Sequence, residues 1–368
     1  MIKIVIAFSL VLALVFPAAA AEQSVQNEIT IAAVGDLMLG GRAEPLLREF
    51  GADYPFTDVM SFLSRADVVV GNLESSISTR GTAVENKKFT LRAGPIAAQA
   101  LKKAGIRVVT LANNHSMDFG PLALQDTLKA LDANTILSTG AGMDLDDARS
   151  PAIMKIKGKT IAFLSYSLTF PLEFIASAGR PGTAPGYEDF VRSDIEKARS
   201  AADLVVVSFH WGAELMTAAK DYQIELGRKA IDWGADLVLG HHPHVLQELE
   251  VYQGRLIAYS LGNFVFGSES NRTNDGIILL LTFQGKDLSR VETVPLDVNN
   301  YRVKYRPRVL RGKPALAVLE GINTASERFK TKLDIENDRG TILLAPRGRG
   351  EILEDKKRGS EKEREGPK

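Results

Sequence analysis

The chain has 368 residues, with 45 basic and 45 acidic side chains and no cysteine. This length allows about two average domains or one large α/β unit. The balanced charge gives no electrostatic reason to expect a nucleic-acid partner or an anionic membrane surface. The lack of cysteine excludes disulfides and thiolate ligands, so any metal site must use nitrogen and oxygen, which suits Mn, Fe, Zn or Mg.

The first 21 residues have the features of an export signal. One cation, Lys3, precedes an uncharged run from Ile4 to Ala21, which contains Pro17 and ends in four alanines. This pattern predicts a signal peptide over residues 1–21. An uncleaved membrane anchor is the alternative, because the apolar run is almost long enough to cross a bilayer. We therefore expect an exported protein, periplasmic or extracellular, or one held at the membrane by this segment.

Short apolar runs alternate with amphipathic helical stretches between residues 28 and 300, which predicts an α/β domain. Six of these runs end in clusters of polar residues, and the runs are uniformly apolar, as in strands covered on both faces. Ligands of open α/β sheets bind outside the carboxyl ends of the strands. We therefore expect the six clusters to meet at one edge. The six segments are residues 28–36, 65–74, 104–115, 201–212, 234–244 and 255–263.

The C-terminal part changes character. Residues 301–346 are predicted to form a β-rich extension of the same domain, with one short helix. Residues 347–368 carry charges of both signs and almost no apolar side chains, which predicts a disordered tail. The expected organisation is thus one large domain between a signal segment and a charged tail.

All five histidines of the chain follow predicted strands. An extended His-Pro-His segment would project His242 and His244 to the same side, because side chains alternate along a strand. His241 would then point away, as a bystander or a supporting group. Imidazole is a common ligand of Zn, Mn and Fe, so His210, His242 and His244 are candidate metal ligands. A surface loop with incidental histidines is the alternative.

The segment LANNHSMDFG adds further candidates. The amide oxygen of Asn114 is a hard donor suited to a divalent cation. His115 is a candidate general acid or charge-stabilising group, and Asp118 joins it as a candidate catalytic residue. An asparagine-rich turn with a capping role is the alternative.

Carboxylates follow the first two predicted strands. Asp36 ends the first strand, and Asn72 and Glu74 would face one side if that segment is extended. A dinuclear centre needs a carboxylate that reaches both ions, and two such ions can clamp a phosphoryl group. Asp36, Asn72 and Glu74 are therefore candidate metal ligands.

Three residues are predicted to contact substrate. Lys88 and Arg92 lie on one extended segment, where they could bind an anionic group of the substrate. The alternative is that both are solvated surface cations without a role in binding. Trp211 directly follows His210.

The ordered motifs GDLMLGGR, GNLE, LANNHSMDFG, SFHWGAE, GHHPH and YSLGNFVF resemble those of the CapA family of capsule and poly-γ-glutamate synthesis proteins. That family is itself similar to the calcineurin-like metallophosphoesterases. The resemblance covers residues 28–300. It implies an α/β fold in a four-layer α+β arrangement, with two β-sheets packed face to face and flanked by helices. It also implies a centre of one or two divalent metal ions at the strand ends.

The resemblance also implies residue roles. Asp36 stands at the first metal-binding aspartate, Asn114 at the metal-binding asparagine, and His115 at the catalytic histidine. Asn263 belongs to the family pattern as a residue that orients substrate or assists catalysis. The remaining imidazole ligands match His210, His242 and His244.

Two positions depart from the metallophosphoesterase pattern. Met38 fills the place of a histidine ligand, and Asn72 fills the place of a bridging aspartate, with Glu74 as the nearby negative charge. The number of ions therefore stays open, because a neutral bridge holds two cations less well.

The resemblance implies a metal-dependent hydrolase of a phosphoester or an amide. It would act in synthesis, release or attachment of an anionic polymer such as poly-γ-glutamate, alongside subunits of a membrane-embedded polymer synthase. The alternatives are a non-catalytic polymer-binding or assembly subunit and a general envelope metallophosphoesterase.

Overall fold

A computed structural model describes residues 28–345, so the predicted signal peptide and the tail at 347–368 lie outside the described residues. The strands of the described part are β1 Glu28–Met38, β2 Val68–Leu73, β3 Ser76–Ile77, β4 Arg92–Ala93, β5 Ile106–Thr110, β6 Leu137–Thr139, β7 Ala141–Gly142, β8 Ala152–Ile156, β9 Lys159–Ser167, β10 Gly182–Thr183, β11 Leu204–His210, β12 Leu237–His241, β13 Leu249–Tyr252, β14 Arg255–Ala258, β15 Asn263–Phe266, β16 Asp275–Gln284, β17 Asp287–Asp297, β18 Arg308–Val309, β19 Asp334–Glu336 and β20 Arg339–Leu343.

The α-helices lie mostly between the strands, as the alternating pattern predicts. They are α1 Glu44–Phe50, α2 Met60–Leu63, α3 Ile96–Lys103, α4 Gly120–Ala133, α5 Leu145–Arg149, α6 Glu188–Ala201, α7 Asp221–Asp232, α8 Asn300–Val303 and α9 Gly312–Ser326. Short 3-10 helices cover Tyr54–Phe56, Leu172–Phe174 and Glu327–Phe329. Within residues 28–345, none of the helices combines the length and the apolar character that a bilayer crossing requires.

The larger sheet has the strand order β19-β20-β17-β16-β1-β2-β5-β6, with β15 also paired to β1 and β18 to β17. Strands β1, β2, β5 and β6 are parallel to one another. On its other side, β1 pairs antiparallel with β16. Strand β20 pairs antiparallel with β17. The residues after position 300 therefore extend this sheet.

The smaller sheet has the order β13-β14-β12-β11-β9-β8. Its central strands β9, β11, β12 and β14 are parallel. The antiparallel strands β8 and β13 lie at its two edges.

The two sheets pack face to face. Successive residues of a strand point to opposite faces of its sheet, so one apolar residue packs between the sheets and the next packs against the outer helices. Val70 of β2 packs in the core between the sheets with Val206 of β11. Its neighbour Val69 faces the helices outside the larger sheet, and Val205 faces those outside the smaller sheet. Each fully buried valine stabilises the fold by about 1.5–3 kcal/mol. The predicted arrangement of two sheets flanked by helices is confirmed.

Strand register brings polar residues of each sheet to the carboxyl ends of its parallel strands. Asp36 lies opposite both Asn72 and Asn263 in the larger sheet, and His210 lies opposite His241 in the smaller one. The Asp36 amide donates to the Gly262 carbonyl at 3.0 Å. A Cβ at Gly35 would lie only 2.1 Å from that carbonyl oxygen, so this approach requires glycine.

Candidate metal centre and active site

Asp36 is a fully buried carboxylate at the junction of the two sheets. Its Oδ1 accepts from Asn72 Nδ2 at 2.9 Å and lies 3.0 Å from His241 Nδ1. Its Oδ2 lies 3.2 Å from His244 Nδ1. Residues from both sheets therefore meet at one carboxylate, and the predicted convergence of strand ends is present at this point.

The histidine segment differs from the extended conformation that the sequence suggested. Strand β12 ends at His241, and His242 and His244 adopt φ values of 97° and 58°. A left-handed residue other than glycine costs about 1–3 kcal/mol and is typical of functional sites. The rings of His242 and His244 still lie 6.1 Å apart. The prediction that His241 points away was wrong, because His241 ends β12 opposite His210 and its side chain leaves the same face of the sheet, toward Asp36. The left-handed residues after it turn His242 and His244 back to the same centre.

Glu74 lies at the centre of the histidines and is fully buried. Its Oε1 is 3.7 Å from His210 Nε2, 3.6 Å from His244 Nε2 and 3.9 Å from His115 Nε2. This oxygen has no hydrogen-bond partner, and neither has the buried Nδ1 of His242. Buried polar atoms without partners are rare in proteins, and both of these atoms are ligand types for a divalent cation.

Two overlapping sets of side chains have the spacing of a metal site, with their ligand atoms within 4.8 Å of one another. The first set contains Glu74, His210 and His242, and the second contains Asp36, Glu74 and His244. Glu74 belongs to both. The donors present therefore fit one divalent ion or a pair that shares Glu74.

Two asparagines support this cluster. Asn114 Oδ1 lies 2.9 Å from His210 Nε2, so a hard oxygen adjoins that imidazole. Asn263 Oδ1 lies 2.9 Å from His244 Nδ1. Because the neighbours of that nitrogen are the oxygens of Asn263 and Asp36, Nδ1 of His244 carries the hydrogen and Nε2 is directed at Glu74.

Burial dominates the protonation of the cluster. It raises the pKa of Glu74 well above its ordinary value. It lowers the pKa of His242 to about 3 and that of His210 well below the ordinary value, so both imidazoles are neutral and able to bind metal. Burial also acts to lower the pKa of His244, but the Glu74 carboxylate and the bond with Asp36 raise it to about 10.

Asp36 differs from Glu74 in its contacts. Burial alone would raise the pKa of Asp36, but the hydrogen bonds and charges of His241 and His244 hold it well below its ordinary value. The centre therefore contains Asp36, held in its charged form by two histidines, and Glu74, whose charged form burial disfavours.

A second polar group adjoins the metal-ligand cluster. His115 Nδ1 lies 2.6 Å from Asp118 Oδ2, and Asp118 also accepts from the Leu91 amide. Lys87 donates to Asp118 and to the Asn114 carbonyl, and its ammonium lies 4.9 Å from the Phe174 ring centroid. Burial lowers the pKa of both Lys87 and His115. The Nε2 atom of His115 thus faces Glu74, while its Nδ1 is fixed by a carboxylate.

Two of the predicted substrate-binding residues are exposed, and their role in binding substrate stays a prediction. Lys88 is exposed, with its ammonium 5.0 Å from the Phe89 ring centroid. Arg92 is exposed and lies over Phe119 at 4.1 Å.

Trp211 requires a correction. Its side chain is fully buried in the core behind the smaller sheet, stacked on Phe209 at 4.7 Å, and its Nε1 donates to the Tyr259 carbonyl at 2.9 Å. Its next neighbour in the chain, His210, points into the site, so Trp211 points away from it and has no surface for substrate.

Sequence reasoning missed two residues of the site. Strand alternation continued past the end of β12 predicts that His241 points away from His242 and His244, so the sequence did not indicate His241 as a site residue. Lys87 precedes Lys88 in the segment KKFTLRA. The sequence favoured Lys88, paired with Arg92, whereas Lys87 is the lysine that donates to Asp118 in the site. Residue type gave no signal for this difference, because loop conformation decides which lysine faces His115.

The chain matches the family model of the bacterial capsule synthesis protein PGA_cap over residues 30–268. It is 34% identical to the capsule biosynthesis protein CapA of Bacillus anthracis over 281 residues, which is 74% of this chain and 68% of that protein. It is 35% identical to the PGA biosynthesis protein CapA of Bacillus subtilis over 268 residues, 72% of this chain and 70% of that one. The chain belongs to the PGA_cap family.

Every residue assigned to the site of this PGA_cap protein lies inside the matched region. A solved structure of the NAD nucleotidase of Haemophilus influenzae is also similar, with a TM-score of 0.47 and 11% identity over 91% of this chain and 68% of that one. The PGA_cap chain has the two facing sheets flanked by helices that its motifs implied. Its departures from the phosphoesterase motifs are at buried positions, with Met38 2% and Asn72 1% exposed.

Proposed function

We propose that this PGA_cap protein is an exported, metal-dependent hydrolase that acts on an anionic envelope polymer such as poly-γ-glutamate. It cleaves a phosphoester or an amide during synthesis, release or attachment of the polymer, beside a membrane-embedded synthase. Family membership and the names of the relatives support the polymer. The N-terminal sequence supports export.

One observation supports metal-dependent chemistry above all others. Glu74 Oε1 and His242 Nδ1 are buried, lack hydrogen-bond partners and belong to the same candidate metal set. A site that only stabilised the fold would pair these atoms, because a buried polar atom without a partner costs about 1–3 kcal/mol. The proposed ligands are Asp36, Glu74, Asn114, His210, His242 and His244.

A divalent ion would supply Lewis-acid activation of the scissile group and of water. The chain itself supplies the proton transfer and part of the anion binding. Asp118 holds His115 through Nδ1, so His115 Nε2 is the atom that donates a proton to the leaving group or removes one from water. Lys87 is partly exposed beside His115, where its ammonium can donate hydrogen bonds to an anionic group of the substrate.

The first experiment measures metal and turnover on purified protein. Elemental analysis is expected to find bound divalent metal in the unaltered protein and much less in the His242→Ala and His244→Ala variants. Turnover of a generic phosphodiester and of a γ-linked glutamate oligomer is expected to depend on that metal. Protein that binds no divalent metal would contradict the proposal.

The second experiment tests the role in the cell. A host strain without the gene is complemented with the unaltered protein or with His242→Ala, and both polymer yield and the cellular fraction containing the protein are measured. Polymer is expected only with the unaltered protein, which is expected outside the cytoplasm. Normal polymer yield with the variant would rule out a metal-dependent role.

A non-catalytic assembly subunit is the second candidate. The replacement of a bridging carboxylate by Asn72 and of a ligand histidine by Met38 favours it, because both changes remove metal ligands of the phosphoesterase pattern. Protein that binds metal and polymer but turns over neither substrate class would support this candidate against the hydrolase.

A further inference from the structure

We propose that Asn72 is not a metal ligand but a positioning residue. It directs its amide NH2 into the centre and holds Asp36 and Glu74, so that Glu74 Oε1 is the carboxylate oxygen available to a cation. This inference rests on the proposed metal-binding function. The sequence instead indicated Asn72 as a candidate metal ligand.

The orientation of Asn72 follows from that of Asn113. Asn113 Oδ1 lies 3.0 Å from the His115 backbone amide, which can only donate. Asn113 Nδ2 lies 2.8 Å from the Leu73 carbonyl, which can only accept. Backbone groups on both sides therefore fix which end of the Asn113 amide is nitrogen.

Asn113 in turn fixes Asn72. The second hydrogen of Asn113 Nδ2 is directed at an Asn72 side-chain atom 3.0 Å away, and that atom must therefore be an acceptor, Oδ1. Thr110 Oγ1 also lies 3.4 Å from this oxygen. With the amide rotated by 180°, two NH2 groups would face each other, so the NH2 group of Asn72 points to the metal-ligand cluster.

The two hydrogens of that NH2 group have two carboxylate acceptors. Asn72 Nδ2 lies 2.9 Å from Asp36 Oδ1 and 3.2 Å from Glu74 Oε2. An amide nitrogen with both hydrogens has no lone pair for a cation. Because Oε2 of Glu74 is engaged in this way, the other oxygen, Oε1, is left without a partner and faces the imidazoles.

Asn72, which is neutral, therefore has a structural role between the two carboxylates. It links the carboxylates of the first two strands, which would otherwise repel each other inside a buried site. The negative charge for a cation then comes from Asp36 and Glu74. Supporting residues of this kind tune metal affinity without contacting the ion.

Cobalt(II) substitution separates a ligand from a positioning residue, because the visible bands of Co²⁺ respond to the atoms bound to it. The purified full chain is titrated with Co²⁺ alone, as are the Asn72→Ala, Asn72→Asp and Glu74→Gln variants. Asn134→Ala, at the C-terminal end of helix α4, is the matched control for loss of an asparagine. Thermal unfolding of each variant is measured in parallel.

Asn72→Ala is expected to bind Co²⁺ about tenfold to hundredfold more weakly but with unchanged band positions. Asn72→Asp is expected to shift the bands, because a carboxylate oxygen now replaces the NH2 group. Glu74→Gln is expected to change both bands and affinity, and Asn134→Ala neither.

The opposite pattern would overturn the inference: bands altered in Asn72→Ala as strongly as in Glu74→Gln, and retained in Asn72→Asp. If Asn72→Ala does not fold, Asn72→Asp alone decides, since it preserves the shape of the side chain. Unaltered protein that shows no Co²⁺ bands would instead refute the metal-binding function itself, and this inference with it.

Discussion

Asp36 Oδ2 lies 3.2 Å from His244 Nδ1, although Asp36 lies near the end of β1 in the larger sheet and His244 follows β12 of the smaller sheet. This contact joins the two sheets at the candidate metal centre. Both groups are buried or nearly so, with the side chains 0% and 13% exposed. The centre is therefore an interface between the sheets, and its geometry depends on how they pack.

Replacement of Glu74 by glutamine is expected to weaken divalent metal binding more than about hundredfold, beyond the usual effect of supporting residues. The change removes the charge shared by both candidate metal sets but keeps the shape. Equilibrium dialysis with elemental analysis measures the effect. Glu320→Gln is the control, because Glu320 is an exposed carboxylate of helix α9. Equal affinities of the two variants would exclude Glu74 as a ligand.

Metal binding is expected to release protons and to strengthen as the pH rises. Burial raises the pKa of Glu74, and the charges of Glu74 and Asp36 raise that of His244 to about 10, so the Glu74–His244 pair holds a proton that a cation must displace. Each proton released changes the affinity by about tenfold per pH unit below the pKa of its group. Calorimetry in two buffers of different ionisation enthalpy counts these protons. Affinity that does not change with pH would contradict the assignment.

His115→Ala is expected to lower kcat by about 10²–10⁴-fold while metal content stays unchanged, because general acid–base catalysis contributes that much. Asp118→Asn is expected to lower kcat as well, since Asp118 orients the imidazole through Nδ1. Turnover and elemental analysis on the same preparations make the comparison. Loss of metal in His115→Ala would mean that His115 binds metal or supports its ligands.

Lys87→Ala is expected to raise KM for an anionic substrate by about tenfold, the value of one charge-assisted hydrogen bond. Lys88→Ala is the matched control, because the two lysines are adjacent but Lys88 is exposed and lies over Phe89. Initial-rate kinetics at several substrate concentrations distinguish KM from kcat. If Lys88→Ala had the larger effect on KM, the original prediction for Lys88 would be restored.

The α/β class could be predicted because its signals are local, whereas the packing of two sheets face to face was implied only by the resemblance of the motifs. The run from Leu204 to Val207 in β11 is uniformly apolar, and such runs predict strands covered on both faces. The structure covers both faces of β11, with Val205 toward helices and Val206 toward the other sheet. Composition along a short segment was sufficient for this prediction.

The details of the site were less predictable because they depend on backbone conformation beyond the strand ends. His241 faces Asp36 from the end of β12, and on an extended chain His242 would point away from it, but left-handed φ values bring His242 and His244 back to the same centre. Lys87 and Lys88 are identical in type, and only the path of their loop decides which is buried. Trp211 was placed in the site by adjacency alone, whereas its ring belongs to the core.

The sequence by itself determined that polar clusters follow the strands, the nitrogen and oxygen chemistry of the donors and the family to which the chain belongs. The tertiary structure alone decided which atoms face the centre. The orientation of the Asn72 amide illustrates the difference, because it follows from backbone groups of Leu73 and His115 acting through Asn113. Hydrogen-bond direction depends on three-dimensional neighbours, and residue type does not encode it.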